Sequence, residues 1–278
     1  MKKIIAVLLS LVVCVLAAGF ILIKTDRLPF IISTENGKIT FLSRTVRVTF
    51  PEGFSLTQIA ERLEENGVCP ARDFINEANS EELYAAYSLL NDVESTGHRV
   101  FVAEGYLFPN TYDFFRNEAP EKALNRLLSN TEKQITPEMK ERATKMGFSV
   151  DEILTVASII QKEAGIKSEM GKVSSVIYNR LNESYNRLGC DVTVHYLKKY
   201  VAPYIDGDIE EYAEYYNTYK CYGLPEGPIC SPGLDAINAA LYPEDTPYKF
   251  FCTDKNLNFY YAETYEEHLE NCKKAGLD

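Results

Sequence analysis

Ile4–Ile23 is a run of twenty residues without a charge, framed by Lys2 and Lys3 before it and Lys24 and Arg27 after it. As a helix rising about 1.5 Å per residue it matches the roughly 30 Å hydrocarbon core of a bilayer. The run therefore reads as a single membrane anchor, and the rest of the chain must fold around that constraint. A cleaved signal peptide is the rival reading, with Val15-Leu16-Ala17 as its small-residue site. Such a segment usually carries only about 7–15 apolar residues. A lipoprotein site at Cys14 fits less well, because Leu11-Val12-Val13 lacks the small residue expected just before the cysteine. Lys2 and Lys3 hold the N-terminus in the cytoplasm by the positive-inside rule, which puts the body outside the membrane.

The charge divides along the same line. The 278 residues carry a net −11, but residues 1–27 are net +3 and the remaining body is net −14. An acidic body without a basic cluster cannot displace counterions from a phosphate backbone, so nucleic-acid binding is excluded. With 46% hydrophobic and 25% charged residues the chain as a whole has a globular composition. Six cysteines follow the anchor, Cys69, Cys190, Cys221, Cys230, Cys252 and Cys272. An oxidising compartment would allow disulfides among them, and buried free thiols are the alternative. No C-x-x-C or Cys/His pair has an evident zinc spacing, so neither metal nor cofactor is expected.

Three regions follow the anchor at 4–23. Residues 24–44 read as linker and strands, with a turn at Glu35-Asn36-Gly37. Residues 45–95 start with a strand into Pro51, then a helix capped by Ser55 and Gln58 with its stripe at Leu56, Ile59, Ala60 and Leu63, stopped by Gly67, then a helix near 71–78. This βαα-like unit resembles the LysM-like module of cell-wall proteins. Residues 96–278 hold a loop-like segment Glu104–Tyr112, helices near 119–135 and 137–146, and a helix opened by the Ser149/Glu152 capping box and closed at Gly165. A helix at 235–241 and two strands within 248–261 complete them, so the fold class is mixed α+β.

The helix after Ser149 carries the most telling residue. At about 100° per residue, its apolar side chains from Val150 to Ala164 fill an arc from about −120° to +100°, and Glu163 falls at about −80°, inside that arc. Lys162 points the other way. A carboxylate in the last turn faces the negative end of the helix dipole and loses hydration, and both effects raise its pKa. Such a group is suited to general-acid work near neutral pH. The plainer reading is a structural Glu paired to Arg180 on the following helix. Glu104, beside an aromatic cluster, reads either as a sugar contact or as part of a shaped turn. Asp191 with Thr193 reads as a helix cap or as an approach to the site, and Asn217–Lys220 as amide and hydroxyl contacts or as a surface loop. Eight of the 19 tyrosines lie in Tyr196–Tyr222, which offers rings for sugar stacking as well as for core. His98, His195 and His268 are far apart and no G-x-S-x-G elbow is present, so serine-hydrolase chemistry is not expected.

The order of five segments, Glu104–Tyr112, Ala157–Glu163, Val176–Leu181, Asp191–Tyr196 and Tyr216–Gly233, resembles the endolytic murein transglycosylases, the MltG or YceG-like family. The resemblance implies a catalytic domain whose central helix ends in the catalytic residue, here Glu163. It also implies glycan-strand contacts at Glu104, Tyr106, Tyr178, Asn179, Asp191, Thr193, Asn217 and Tyr219. Where many relatives have Glu-Lys-Glu, this chain has Gln161-Lys162-Glu163, which leaves Glu163 as the one proton carrier of that triplet; Asn110 and Val192 are smaller departures. The implied reaction is lytic cleavage of nascent peptidoglycan strands to 1,6-anhydro ends by a membrane-held enzyme without cofactor, near glycan-polymerising synthases. A non-catalytic wall-binding scaffold and a hydrolytic muramidase are the alternatives.

Overall fold

The computed structural model describes residues 30–35, 38–80, 83, 87–90, 93, 97–183 and 186–277, with 30–42 described by their backbone alone. The expected anchor at 4–23, Cys14 and the turn residues 36–37 lie outside the described residues. Among the described residues no helix is long and apolar enough to cross a membrane.

The fold is mixed α+β, with three two-stranded antiparallel sheets and ten α-helices among the described residues. β1 (Phe30–Glu35) and β2 (Lys38–Ser43) form a hairpin in the region expected to hold strands. β3 (Thr45–Phe50) alternates strictly. Val48 and Phe50 are buried, while Arg47 and Thr49 face out, as a half-buried strand requires.

The partner of β3 is β4 (Asn110–Phe115), with Val48 opposite Tyr112 and Phe50 opposite Asn110. The outer face is matched too, by an Arg47–Asp113 ion pair at 2.9 Å and a Thr49–Thr111 hydroxyl contact at 2.8 Å. The segment 104–112 expected as loop therefore ends in a strand. The division expected between 95 and 96 falls between two strands that pair with each other. Between them lie α1 (Leu56–Glu65) and α2 (Ala71–Glu77), packed together. The Ser55/Gln58 capping box forms, and Gly67 takes the left-handed conformation at φ 69°. The core of this unit is continuous with that of the following helices.

Those helices are α3 (Pro120–Gln134), α4 (Pro137–Met146), α5 (Val150–Glu163), α6 (Met170–Leu181), α7 (Asp191–Tyr196), α8 (Glu210–Tyr216) and α9 (Leu234–Leu241). α5 is central. It packs against α9, α6 and α7, and every side chain from Ile153 to Ile160 is buried. The stripe expected from the wheel is thus too narrow, because Thr155 and Ser158 on the polar side are buried as well. Thr155 donates to the Asp151 carbonyl, and Ser158 donates to Thr155 and accepts from the Ile229 amide at 3.0 Å. The Ser149/Glu152 box opens α5 as expected. Its end differs, since Ala164 leaves the helix in an extended conformation at φ −92°, ψ 92° and Gly165 does not use the left-handed region. The chain closes with β5 (Phe250–Thr253), β6 (Phe259–Ala262) and α10 (Tyr265–Ala275).

One backbone junction holds the two halves in register. Gly105 sits at φ +84°, and a Cβ there would lie 2.4 Å from Pro228 Cβ. Gly105→Ala combines left-handed strain with a steric clash, so we expect a loss of about 2 kcal/mol or more in urea unfolding. An unchanged midpoint would remove this junction from the list of structural constraints.

Candidate active site

Glu163 is the last residue of α5. The stretch Ile153–Ile160 is fully buried and anchored, so the helix delivers the carboxylate to a fixed place, and the turn at Ala164 leaves it half-buried. Burial pushes the Glu163 carboxyl up to about 7. The nearby negative charge of Asp191 pushes in the same direction, while Arg180 and a hydrogen bond from Cys190 pull against it. The expected Glu163–Arg180 pair does not form as an ion pair. Arg180 instead donates from Nε to the Lys249 carbonyl at 2.6 Å, donates to the Leu188 carbonyl, and lies 5.1 Å from the Phe250 ring centroid. It acts on Glu163 at a distance, as a positive charge tied to two loops.

Asp191 opens α7 in the open rim of the site and accepts a hydrogen bond from the Tyr219 hydroxyl at 2.9 Å. Thr193 and Thr218 join these two segments underneath. The Cys190 amide donates to Thr218 Oγ1 at 2.8 Å, and the two threonine hydroxyls meet at 3.1 Å. Asn217 turns the chain by accepting the Tyr219 amide at 3.0 Å. Glu163, Asp191 and Tyr219 are thus brought together, with Thr193 and Asn217 as their scaffold. Beside them a cleft of about 520 Å³ runs along Arg180, Arg187, Thr218, Tyr219, Lys249 and Phe250.

The remaining expected contacts lie elsewhere. Glu104 is 1% exposed, so it is not a cleft-wall residue. Both its carboxylate oxygens accept the Leu56 amide, at 3.0 and 3.1 Å, and Tyr196 donates to it at 3.2 Å. The start of α1 captures this acid, although burial still raises it to about 7. Tyr106 is also fully buried, its hydroxyl donating to Asp151 at 2.7 Å, and Asp151 pairs with Arg99 at 2.8 Å. Tyr178 donates to the Ala240 carbonyl at 2.8 Å, and Asn179 donates to the carbonyls of Thr246 and Tyr248. These four residues shape the site from behind.

Three neighbours have parts that sequence reasoning did not give them. Gln161 is a fixed strut, its side-chain oxygen accepting the Gly233 amide at 3.0 Å. Lys162, expected in solvent, is half-buried with its ammonium 5.3 Å from the Tyr200 centroid. Cys190 stands against Glu163, and its place directly before Asp191 was the available signal. A second cleft of about 550 Å³ lies at the other end of α5. Its Asp151 and Glu152 are committed to Arg99 and to the helix cap, so it offers less for catalysis.

Residues 31–274 match the YceG-like family. The chain is 33% identical over 232 residues to the endolytic murein transglycosylase of Bacillus subtilis, covering 80% of this chain and 63% of that protein. It is 30% identical over 249 residues to the endolytic murein transglycosylase of Streptococcus pneumoniae, covering 81% and 43%. The chain therefore spans less than two thirds of the length of these relatives. Among solved structures, a YceG-like protein from Listeria monocytogenes is similar, with a TM-score of 0.66, 32% identity, and coverage of 81% of this chain and 75% of that one.

The raised carboxyl of Glu163 has a consequence for stability. An acid whose folded pKa lies above its ordinary value of 4.5 binds more protons folded than unfolded, so stability is lost as pH rises from about 4.5 through 7. Glu163→Gln escapes that loss. The thermal midpoint of the variant minus that of the parent is expected near zero at pH 4.5 and positive at pH 8. A difference that stays flat across this range would mean that Glu163 titrates normally.

Proposed function

The chain belongs to the YceG-like family, and on that premise we propose that it is a lytic transglycosylase of peptidoglycan with Glu163 as its acid and base. The observation that carries the reading is a half-buried carboxyl, raised to about 7, at the end of a helix buried from Ile153 to Ile160 and beside an open cleft.

The chemistry needs one proton carrier. Glu163 donates its proton to the oxygen linking C1 of N-acetylmuramic acid to C4 of N-acetylglucosamine, and that C1–O bond breaks. The resulting carboxylate takes the proton of the muramyl C6 hydroxyl as O6 bonds to C1, which closes a 1,6-anhydro ring and restores the acid. Burial and Asp191 keep the carboxyl protonated for the first half, and Arg180 stabilises the carboxylate in the second. Tyr219 and the cleft beyond it supply a polar and aromatic wall for the sugar strand. In the same reading, the run at 4–23 holds the chain in the membrane with the body outside, close to glycan-polymerising synthases, and cleavage of nascent strands ends their elongation. The unit β3–α1–α2, closed by β4, supports a LysM-like glycan grip.

One observation favours a second reading. Asp191 is a second carboxylate at the same site, and a pair of carboxylates is what a hydrolytic muramidase uses to activate water. Glu104 cannot serve that role, because both its oxygens are held at the start of α1.

The products separate these readings. Nascent glycan strands incubated with the protein should yield 1,6-anhydromuramyl ends by mass spectrometry, and Glu163→Gln should lower the rate by at least about a hundredfold, at the low end of a general acid's contribution. Reducing ends lost in Asp191→Asn would instead establish the hydrolase. No cleavage by the folded parent would leave a binding scaffold.

The rate should also fall as pH rises through about 7, where Glu163 loses the proton it must donate. A rate that stays constant from pH 6 to 8.5 would assign the acid to another group.

A further inference from the structure

Away from Glu163, the C-terminal hairpin and helix bring three metal-type ligands together. Cys252 on β5 meets His268 and Cys272 on α10, with all three ligand atoms within 4.8 Å of one another. Residues 268 and 272 are one helical turn apart, so both project from the same face toward the strand. This four-residue Cys/His spacing is a zinc-compatible pair that the expectation of no metal overlooked. Cys272 Sγ is 3.6 Å from His268 Nε2. A tetrahedral zinc with Zn–S near 2.3 Å and Zn–N near 2.05 Å requires an S···N separation of about 3.6 Å. The distance is already that of two ligands on one ion.

The surroundings fit a staple. α10 has no buried residue along its eleven positions, and an isolated helix of that length is marginal in water. It is held to the hairpin by the Asn271 side chain donating to the Tyr261 carbonyl at 3.0 Å and by Phe250 packed against His268 and Tyr265. The imidazole stacks on Phe250 at 5.4 Å between centroids, which orients the ring before any ion arrives.

We propose that Cys252, His268 and Cys272 bind one zinc ion that clamps α10 onto β5, with water as the fourth ligand. Both cysteines bind as thiolates and release two protons to solvent, and His268 binds as neutral imidazole. Because binding releases those protons, it weakens as pH falls. The clamp borders the cleft, because His268 itself lines it and because Phe250 and the adjoining Lys249 are two of the three contacts that hold Arg180. The rival for the two thiols is a Cys252–Cys272 disulfide, which would make no use of the oriented imidazole.

The test uses the full chain in detergent, reduced, stripped with chelator and dialysed against zinc chloride. About one zinc per chain should remain by elemental analysis, and it should fall to background in Cys272→Ser and His268→Ala, while Cys221→Ser keeps it. Cobalt should give the visible ligand-field bands of a tetrahedral site. His268→Cys, which keeps three ligands, should retain the metal with shifted bands, and this guards against a variant that loses metal only because it misfolds. Zinc should raise the thermal midpoint of the parent and leave that of His268→Ala unchanged. No bound zinc in the reduced, folded parent would overturn the site, as would zinc retained by a folded Cys272→Ser.

Discussion

The whole molecule is arranged to bury one helix on every side. α5 carries only a partial apolar stripe, yet Thr155 and Ser158 are as inaccessible as Ile159 and Ile160. The hydroxyls make this tolerable because each is satisfied within the helix or by the amide of Ile229, so no hydrogen bond is lost on burial. With the middle of the helix immobilised, the acids at its two ends are held in fixed places. Asp151 near the start takes part in a buried ion pair with Arg99 that ties down the loop after 98. Glu163 at the other end is half-buried and loses most of its hydration.

The two acids raised to about 7 show how one physical cause serves opposite purposes. Glu104 and Glu163 are both pushed up by burial. Glu104 is sealed against the amide of Leu56 and the hydroxyl of Tyr196, so its protonation has no outlet to a substrate. Glu163 has the negative end of α5 behind it and an accessible rim in front, where Asp191 and Tyr219 are exposed. A shifted acid marks a reactive position only when access accompanies the shift.

Much of this was legible in the residues. The capping boxes at Ser55 and Ser149, the helices from 120 to 181 and the strands near 250–261 follow from local rules, since cap, stripe and turn residues are neighbours in sequence. Glu163 stood out because a charge inside an apolar arc breaks a local pattern. What was not legible depended on distant partners. Strand β4 looked like loop because Pro109 and Asn110 advertise a turn and its pairing residues lie at 45–50. Glu104 and Tyr106 looked like cleft residues because aromatic and acidic neighbours suit a sugar, and only the start of α1 and Asp151 reveal that both are spoken for. Arg180 looked like a salt-bridge partner, but the carbonyls of Leu188 and Lys249 compete for its donors and win on geometry. His268 and Cys272 needed Cys252, on another element, to become a cluster.

The pairing of β3 with β4 also orders events in time. Arg47 and Asp113 are 66 positions apart, so when β3 leaves the ribosome its partner has not been synthesised. Until β4 follows, Val48 and Phe50 have no sheet to join and the core beneath α1 stays open. A chain emerging from N-terminus to C-terminus must keep this edge from pairing with other chains. The exposed Arg47 and its neighbouring Arg44 put charge on the waiting strand, which discourages a wrong partner until the right one arrives.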